Sequence, residues 1–225
     1  GLAYPAYASI LAGTGRDVFL SWCAGGGLVC ISRAYDDGPP AGDSGRPDVS
    51  GAGRYVVFES DADNLAAADG NGVRDVFVRD VAAGTTTRLS LSADGAAADR
   101  DCFAGAISAN GRRITFRSRS AGLVPENTAG FMSLFLADRS FAPGAAGRTR
   151  LLSRTVDGDP ADGDSWSSAL SASGAFAAFV SDAENLSPLD TNGIRDAFVT
   201  SYGTLENEAP ILTETTFPAF RGEPS

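Results

Sequence analysis

The 225-residue chain contains no histidine, one methionine, two tryptophans and three cysteines. Without histidine it lacks the side chain best suited to general-base work near pH 7. It also lacks any His-assisted Ser or Cys nucleophile and the imidazole ligands that most catalytic zinc sites use. Basic residues are scarce: 18 Lys and Arg face 28 Asp and Glu, a formal net charge of −10 with a pI near 4.4. Nucleic acids and anionic membrane surfaces are bound through clustered cations, so this balance argues against both. Long apolar runs are missing too, the longest, such as Ala175 to Val180, falling far short of the ~20 residues a transmembrane helix needs. The chain starts at Gly1 with no charged-then-apolar leader, so a signal peptide is expected to have been removed or not included.

What the chain has is turns. With 27 Gly, 11 Pro and 43% hydrophobic residues, the composition is that of a turn-rich globular protein, neither disordered nor helical. The length suits one all-β domain or two small ones, with enough chain to bury a core. Cys23 and Cys30 flank Ala24-Gly25-Gly26-Gly27, a hairpin turn that would set the two thiols across paired strands. They are either a cross-strand disulfide, which needs an oxidising compartment, or two small buried residues. Cys102 has no evident partner and is read as structural.

The sequence also repeats itself, which decides how it is read. Asp69-Gly70-Asn71-Gly72-Val73-Arg74-Asp75-Val76-Phe77-Val78 returns as Asp190-Thr191-Asn192-Gly193-Ile194-Arg195-Asp196-Ala197-Phe198-Val199, with a shorter echo at Gly15 to Leu20. Asp17, Asp75, Ser133 and Asp196 are spaced by 58, 58 and 63 residues, and Phe58, Phe116 and Phe179 by 58 and 63. The five extra residues fall in the turn Phe141 to Gly147, where insertions belong. Each unit reads as a short apolar strand, a Gly turn, an alternating strand, a polar loop, an Asp-led strand, another turn and a strand ending in Ile31-Ser32, Leu89-Ser90 or Leu152-Ser153. Four short strands per period, with no helical periodicity between them, describe a β-propeller blade.

The run Ile107-Ser108-Ala109-Asn110-Gly111-Arg112-Arg113-Ile114-Thr115-Phe116-Arg117-Ser118, followed by Leu134-Phe135-Leu136-Ala137-Asp138, resembles the WD40-like (PD40-type) repeat of bacterial TolB-type propellers over roughly residues 15 to 201. The resemblance implies an all-β fold of four-stranded antiparallel blades. It also implies a family of scaffold and partner-binding propellers and of the non-catalytic propellers attached to peptidases. The chain departs from the family pattern in carrying Ala-Gly53, Asn-Gly111 and Ser-Gly174 where Asp-Gly is frequent. The units are expected as a partial blade at 1–47, blades at 48–103 and 104–166, a partial blade at 167–201, and a Pro-containing tail at 202–225. So divided, the chain makes an incomplete ring: a piece of a longer protein, a ring completed by another chain, or an open arc. The tail segment Ile211 to Phe217, between Pro210 and Pro218, is either a linker or an arm that adds as a strand to a neighbouring edge.

Two chemistries need weighing. Asp69, Asn71, the Val73 carbonyl and Asp75 place oxygen donors at alternate positions of a tight turn, as do Asp190, Asn192, Ile194 and Asp196. Ca²⁺ takes about six to eight oxygens, and such a turn supplies three or four. The competing reading needs no ion, because Asn-Gly is a preferred turn pair and an Asp before a strand can brace the loop backbone. In the middle unit, Asn127-Thr128-Ala129-Gly130-Phe131-Met132-Ser133, most of those donors are lost. Carboxylates at Asp99 and Asp101, or at Asp157, Asp159, Asp162 and Asp164 before Trp166, could serve as a glycosidase pair, but Gly and Pro interspersed among them suit a solvated acidic loop better. Trp22 and Trp166 suit blade packing more readily than sugar stacking.

The function expected is therefore a non-catalytic propeller scaffold or protein-interaction module, periplasmic or extracellular, bound to a protein partner or to further copies of itself. The alternative is the propeller domain of a carbohydrate-active or peptidase-type enzyme.

Overall fold

The computed structural model describes residues 3–8, 15–22, 27–67, 69–127, 130–142, 145, 148–201 and 211–213, the first and last of these as backbone alone. Four antiparallel sheets follow one another along the chain. The first holds β1 (Ala3–Ala8), β2 (Asp17–Trp22) and β3 (Val29–Cys30). The second holds β4 (Ser44–Val49), β5 (Tyr55–Ser60), β6 (Asp75–Asp80) and β7 (Thr85–Arg88). The third holds β8 (Cys102–Ile107), β9 (Arg113–Ser118), β10 (Ser133–Asp138) and β11 (Thr149–Leu151). The fourth holds β12 (Ser165–Leu170), β13 (Phe176–Ser181), β14 (Asp196–Ser201) and β15 (Ile211–Thr213). A single turn of 3-10 helix, Ala121–Leu123, is the helical element among the described residues.

The expected blade is thus present, and its grammar is local. Gly53, Gly111 and Gly174 turn the first strand into the second at φ of 72°, 72° and 73°, a left-handed conformation that glycine adopts at little cost. The second and third strands then pair so that one aromatic from each stacks across the ladder: Phe58 on Phe77, Phe116 on Phe135 and Phe179 on Phe198, with ring centroids 5.8, 5.3 and 5.7 Å apart. Because strand side chains alternate between faces, each sheet has two apolar faces. Val56, Phe58 and Phe77 pack with Val18, Leu20 and Ile31 of the first sheet. Their neighbours Val57, Val76 and Val78 pack with Ile114, Phe116 and Phe135 of the third. On the far side of the third sheet, Leu134 and Leu136 meet Ala177, Phe179 and Phe198 of the fourth. The core is three apolar seams between successive sheets, and each first strand lies beside the sheet before it.

Several expectations change. β1 pairs with β2 along its whole length, so the partial blade expected at 1–47 holds three strands among the described residues. Ile211–Thr213 pairs with Val199–Ser201 of β14 and so forms the fourth strand of the last sheet, within a tail expected as linker or arm. The chain therefore carries three four-stranded sheets and one three-stranded sheet. The unit boundaries at 47/48, 103/104 and 166/167 fall inside β4, β8 and β12. The reason is a bulge in each first strand, at Gly45/Asp48, Ala104/Ile107 and Trp166/Ser168, which breaks the alternation by which a strand is recognised. Cys102 is a buried free thiol and Cys30 is bonded to no cysteine among the described residues; Cys23, and with it the expected bridge to Cys30, lies outside the described residues.

Candidate functional site

The turn that leads into each third strand holds the residues singled out as metal ligands. In the second sheet they are already engaged with one another. Asn71 Nδ2 donates to Asp75 Oδ2 at 2.8 Å and to the Ala98 carbonyl at 3.0 Å, and its Oδ1 accepts from the Val73 N–H at 3.4 Å. Ser90 Oγ donates to Asp75 Oδ1. The Arg88 guanidinium reaches both Asp69, at 2.8 Å, and Asp75, at 3.3 Å. Burial, and then the Asp75 carboxylate beside it, push the Asp69 carboxyl up to about 6. Among the described residues, the Arg88 guanidinium is the cation that both carboxylates meet.

The other units bear this out by substitution. In the third sheet the residue that pairs with Phe135, as Arg88 pairs with Phe77, is Leu151. There the acids are gone as well: buried Asn127 accepts from Ser133 Oγ at 3.1 Å and donates to the Ser120 carbonyl at 3.2 Å. In the fourth sheet Asn192 keeps the turn, donating to Asp196 at 3.0 Å and accepting from the Ile194 N–H at 2.8 Å. No Lys or Arg lies between Asp196 and Arg221 in the sequence. Both carboxylate oxygens of Asp190 are buried without a hydrogen-bond partner. Among the described residues no three His, Cys, Asp or Glu side chains converge as metal ligands would.

A second repeated device joins the sheets. Asp43, Asp101 and Asp164, each one residue ahead of a first strand, accept the backbone N–H of Arg16, Arg74 and Met132 at 2.9, 3.0 and 2.8 Å. Ser44, Cys102 and Ser165 return the bond, donating their N–H to the carbonyls of the same three residues at 2.7 Å. Each sheet therefore clamps the start of the next. These acids recur at 58 and 63 residues, the same intervals as the other repeat positions. Of the acidic-loop candidates, Asp99 and Asp162 are braces: Asp99 accepts from Ser120 Oγ at 2.6 Å, and Asp162 caps the Glu184 and Asn185 N–H groups at 2.9 and 3.2 Å. Asp164 also holds Arg119 at 2.5 Å. Trp166 donates to Asp182 at 3.3 Å beneath the Arg195 guanidinium, and Trp22 packs on the seam between the first two sheets.

At the fourth sheet no second half of the clamp is present among the described residues. Arg195, in the place of Arg74, has its side chain on Asp182 at 2.7 Å, and its backbone N–H and carbonyl have no hydrogen-bond partner among the described residues. Phe176, Ala178, Ala197 and Val199 stand where the second sheet has Tyr55, Val57, Val76 and Val78. Val57 and Val76 are fully buried, whereas Phe176 is 52% exposed, with Ala178 and Ala197 also exposed and Ile194 beside them at 66%.

The bulges of the first strands open a pocket of about 210 Å³ lined by Arg46, Phe103, Ala104, Phe116, Arg117, Leu134, Ser167 and Ser168. Arg46 and Ser167, the equivalent bulge residues of β4 and β12, sit at φ of 46° and 31°, a conformation rare for non-glycine residues and frequent at binding sites. Arg46 and Arg74 both reach Glu59, at 3.4 and 3.3 Å. Glu59 also accepts the Ala104 N–H at 3.1 Å, and burial holds its carboxyl above the usual range. Arg117 lies over the Phe103 ring at 5.2 Å. Burial and then neighbouring Arg46 lower its pKa. No sequence pattern announced this group, because a bulge is what gathers it.

No protein-family model matches the chain, and no curated protein matches it in sequence. Among solved structures, a protein assigned as TolB from Agrobacterium tumefaciens is similar with a TM-score of 0.52 at 16% identity, over 89% of this chain and 58% of that one. The tricorn protease is matched at a TM-score of 0.48 and 16% identity, over 83% of this chain and 16% of that one. The chain has the sheet architecture of TolB-type β-propellers, and it spans 58% of the length of the solved TolB structure it matches.

Proposed function

We propose that the chain is a non-catalytic β-propeller module that holds protein in a periplasmic or extracellular setting, and that its contact surface is the open face of the fourth sheet. One observation carries this reading: Phe176, Ala178, Ala197 and Val199 occupy positions that are seam residues in the second sheet, yet here Phe176, Ala178 and Ala197 are exposed and Val199 only half-buried, beside Arg195, whose backbone groups have no partner among the described residues. Singly exposed apolar residues are ordinary, but a face in the register of an interior seam marks a contact site. The chain packs such faces three times against sheets of its own kind, so the partner inferred is a second copy. Its acidity speaks against nucleic acid, and among the described residues no helix is long and apolar enough to cross a membrane. The exported setting rests on the resemblance to TolB-type repeats. Size-exclusion chromatography with light scattering over a concentration series should show self-association that Phe176→Asp and Ala197→Asp abolish without changing the circular dichroism. A monomer at every concentration would overturn the second copy as partner.

Calcium is proposed for the fourth-sheet turn alone, held by the Asp190 and Asp196 carboxylates, because the buried Asp190 oxygens lack any other partner. The chain should melt higher in calcium than in EDTA, and Asp190→Asn should erase the difference; equal melts of the unaltered chain would exclude the ion.

A further inference from the structure

We propose that the pocket between the first strands of the second, third and fourth sheets binds an organic carboxylate, gripped by the guanidinium groups of Arg117 and Arg46 with the Ser167 hydroxyl as a further donor.

Charge is the first argument. The Arg117 side chain makes neither a hydrogen bond nor an ion pair among the described residues, and its Nε is buried without a partner. Five donors in a rigid fork are seldom left unmet in a half-buried place. The acid nearest to hand, Glu59, already serves Arg46, Arg74 and the Ala104 N–H. The pocket is therefore lined by two arginines and no acid, inside a chain of net charge −10. An entering carboxylate meets charge-assisted, bidentate-capable donors.

Shape is the second argument. Phe103, half-buried beneath the Arg117 guanidinium at 5.2 Å, gives the pocket its accessible aromatic surface, with the core residues Phe116 and Leu134 behind it, which suits an acid with a hydrocarbon body better than a bare oxyanion. Its volume of about 210 Å³ lies below the ~300 Å³ at which drug-sized pockets begin, so the guest is a small acid or one terminal residue of a peptide. Ser167 Oγ has no partner among the described residues, and Ser167 lines the pocket at the bulge of β12. Gly105 keeps the rear of the site close-packed, since a Cβ at that position would come within 2.6 Å of Thr115 Oγ1 and 2.7 Å of Ser168 Oγ.

The test is calorimetric titration of the whole chain with sodium benzoate, with neutral benzamide as isostere, with inorganic phosphate, and with acetyl-alanyl-phenylalanine carrying a free carboxylate. Benzoate should bind and benzamide should not, and Arg117→Gln and Arg46→Gln should each weaken benzoate by about tenfold or more. Tighter binding of the peptide acid would place the carboxylate at a chain end, and tighter binding of benzoate would identify a free acid; both uphold the site. Arg46 is more than half exposed and touches Glu59 alone, so Arg46→Gln keeps the test open should Arg117→Gln fail to fold. Phosphate bound more tightly than either carboxylate would overturn the ligand class, unchanged binding in Arg46→Gln would overturn the location, and no binding of either acid would overturn the proposal.

Discussion

At the scale of single residues the clearest lesson is Arg88. Both partners of the pair are nearly sealed from solvent, the Asp69 and Asp75 side chains being 4% and 1% exposed, so removing the cation strands two carboxylates. Arg88→Ala should cost about 3–5 kcal/mol in urea unfolding, the range for breaking a buried pair on one side. Importing the third sheet's own solution, Arg88→Leu with Asp69→Asn and Asp75→Ser, should recover most of that loss. The pH dependence follows from Asp69, whose pKa of about 6 in the fold lies above the ordinary ~3.9. The folded state then holds the extra proton, so this group favours folding below pH ~4 and its contribution is lost as pH rises through 6. Thermal melts between pH 4 and 7 should show that decline, and Asp69→Asn should flatten it. Gly111→Ala tests the turn: a methyl there would sit 2.1 Å from the Tyr55 ring, at φ 72°, and several degrees of melting temperature should go. The oxygen-rich turn was legible in the sequence because its donors alternate within seven residues. Its counter-charge was not, because Arg88 comes from a strand that returns 19 residues beyond Asp69.

At the scale of the element, the second to fourth strands of the two middle units could be read from spacing alone, since the Gly turns, the stacked phenylalanines and the Asp-led strands all keep the same intervals. The first strands resisted, because each contains a bulge, and β4 adds Pro47 within it. A bulge costs ladder bonds and re-aims side chains; here it shifts the unit boundary and gathers the arginine pocket, so the stretch least readable as strand holds the candidate ligand site. The clamp between elements is testable by itself. Asp101→Ala removes the acceptor of the Arg74 N–H and should cost about 1–2 kcal/mol, as for a backbone donor left unmet. Hydrogen exchange should quicken at Arg74 and Cys102 before it does so at Phe135.

At the scale of the whole molecule, stability resides in seams rather than in a common centre. The two middle sheets each share two seams and the outer two share one each, which makes the chain approximate a one-dimensional array. Amide protection should accordingly be highest in β5, β6, β9 and β10 and fall toward both ends, and exchange mass spectrometry can read that gradient directly. The half-clamp at Arg195 bears also on descent. Because each junction uses the same acid, the same paired backbone bonds and the same seam register, a tandem duplication of some 60 codons would add a sheet that arrives with its contact already encoded. Lineages carrying this unit can change their sheet number in one genetic step, and a fold built this way should vary more readily in count than in the chemistry of its joints.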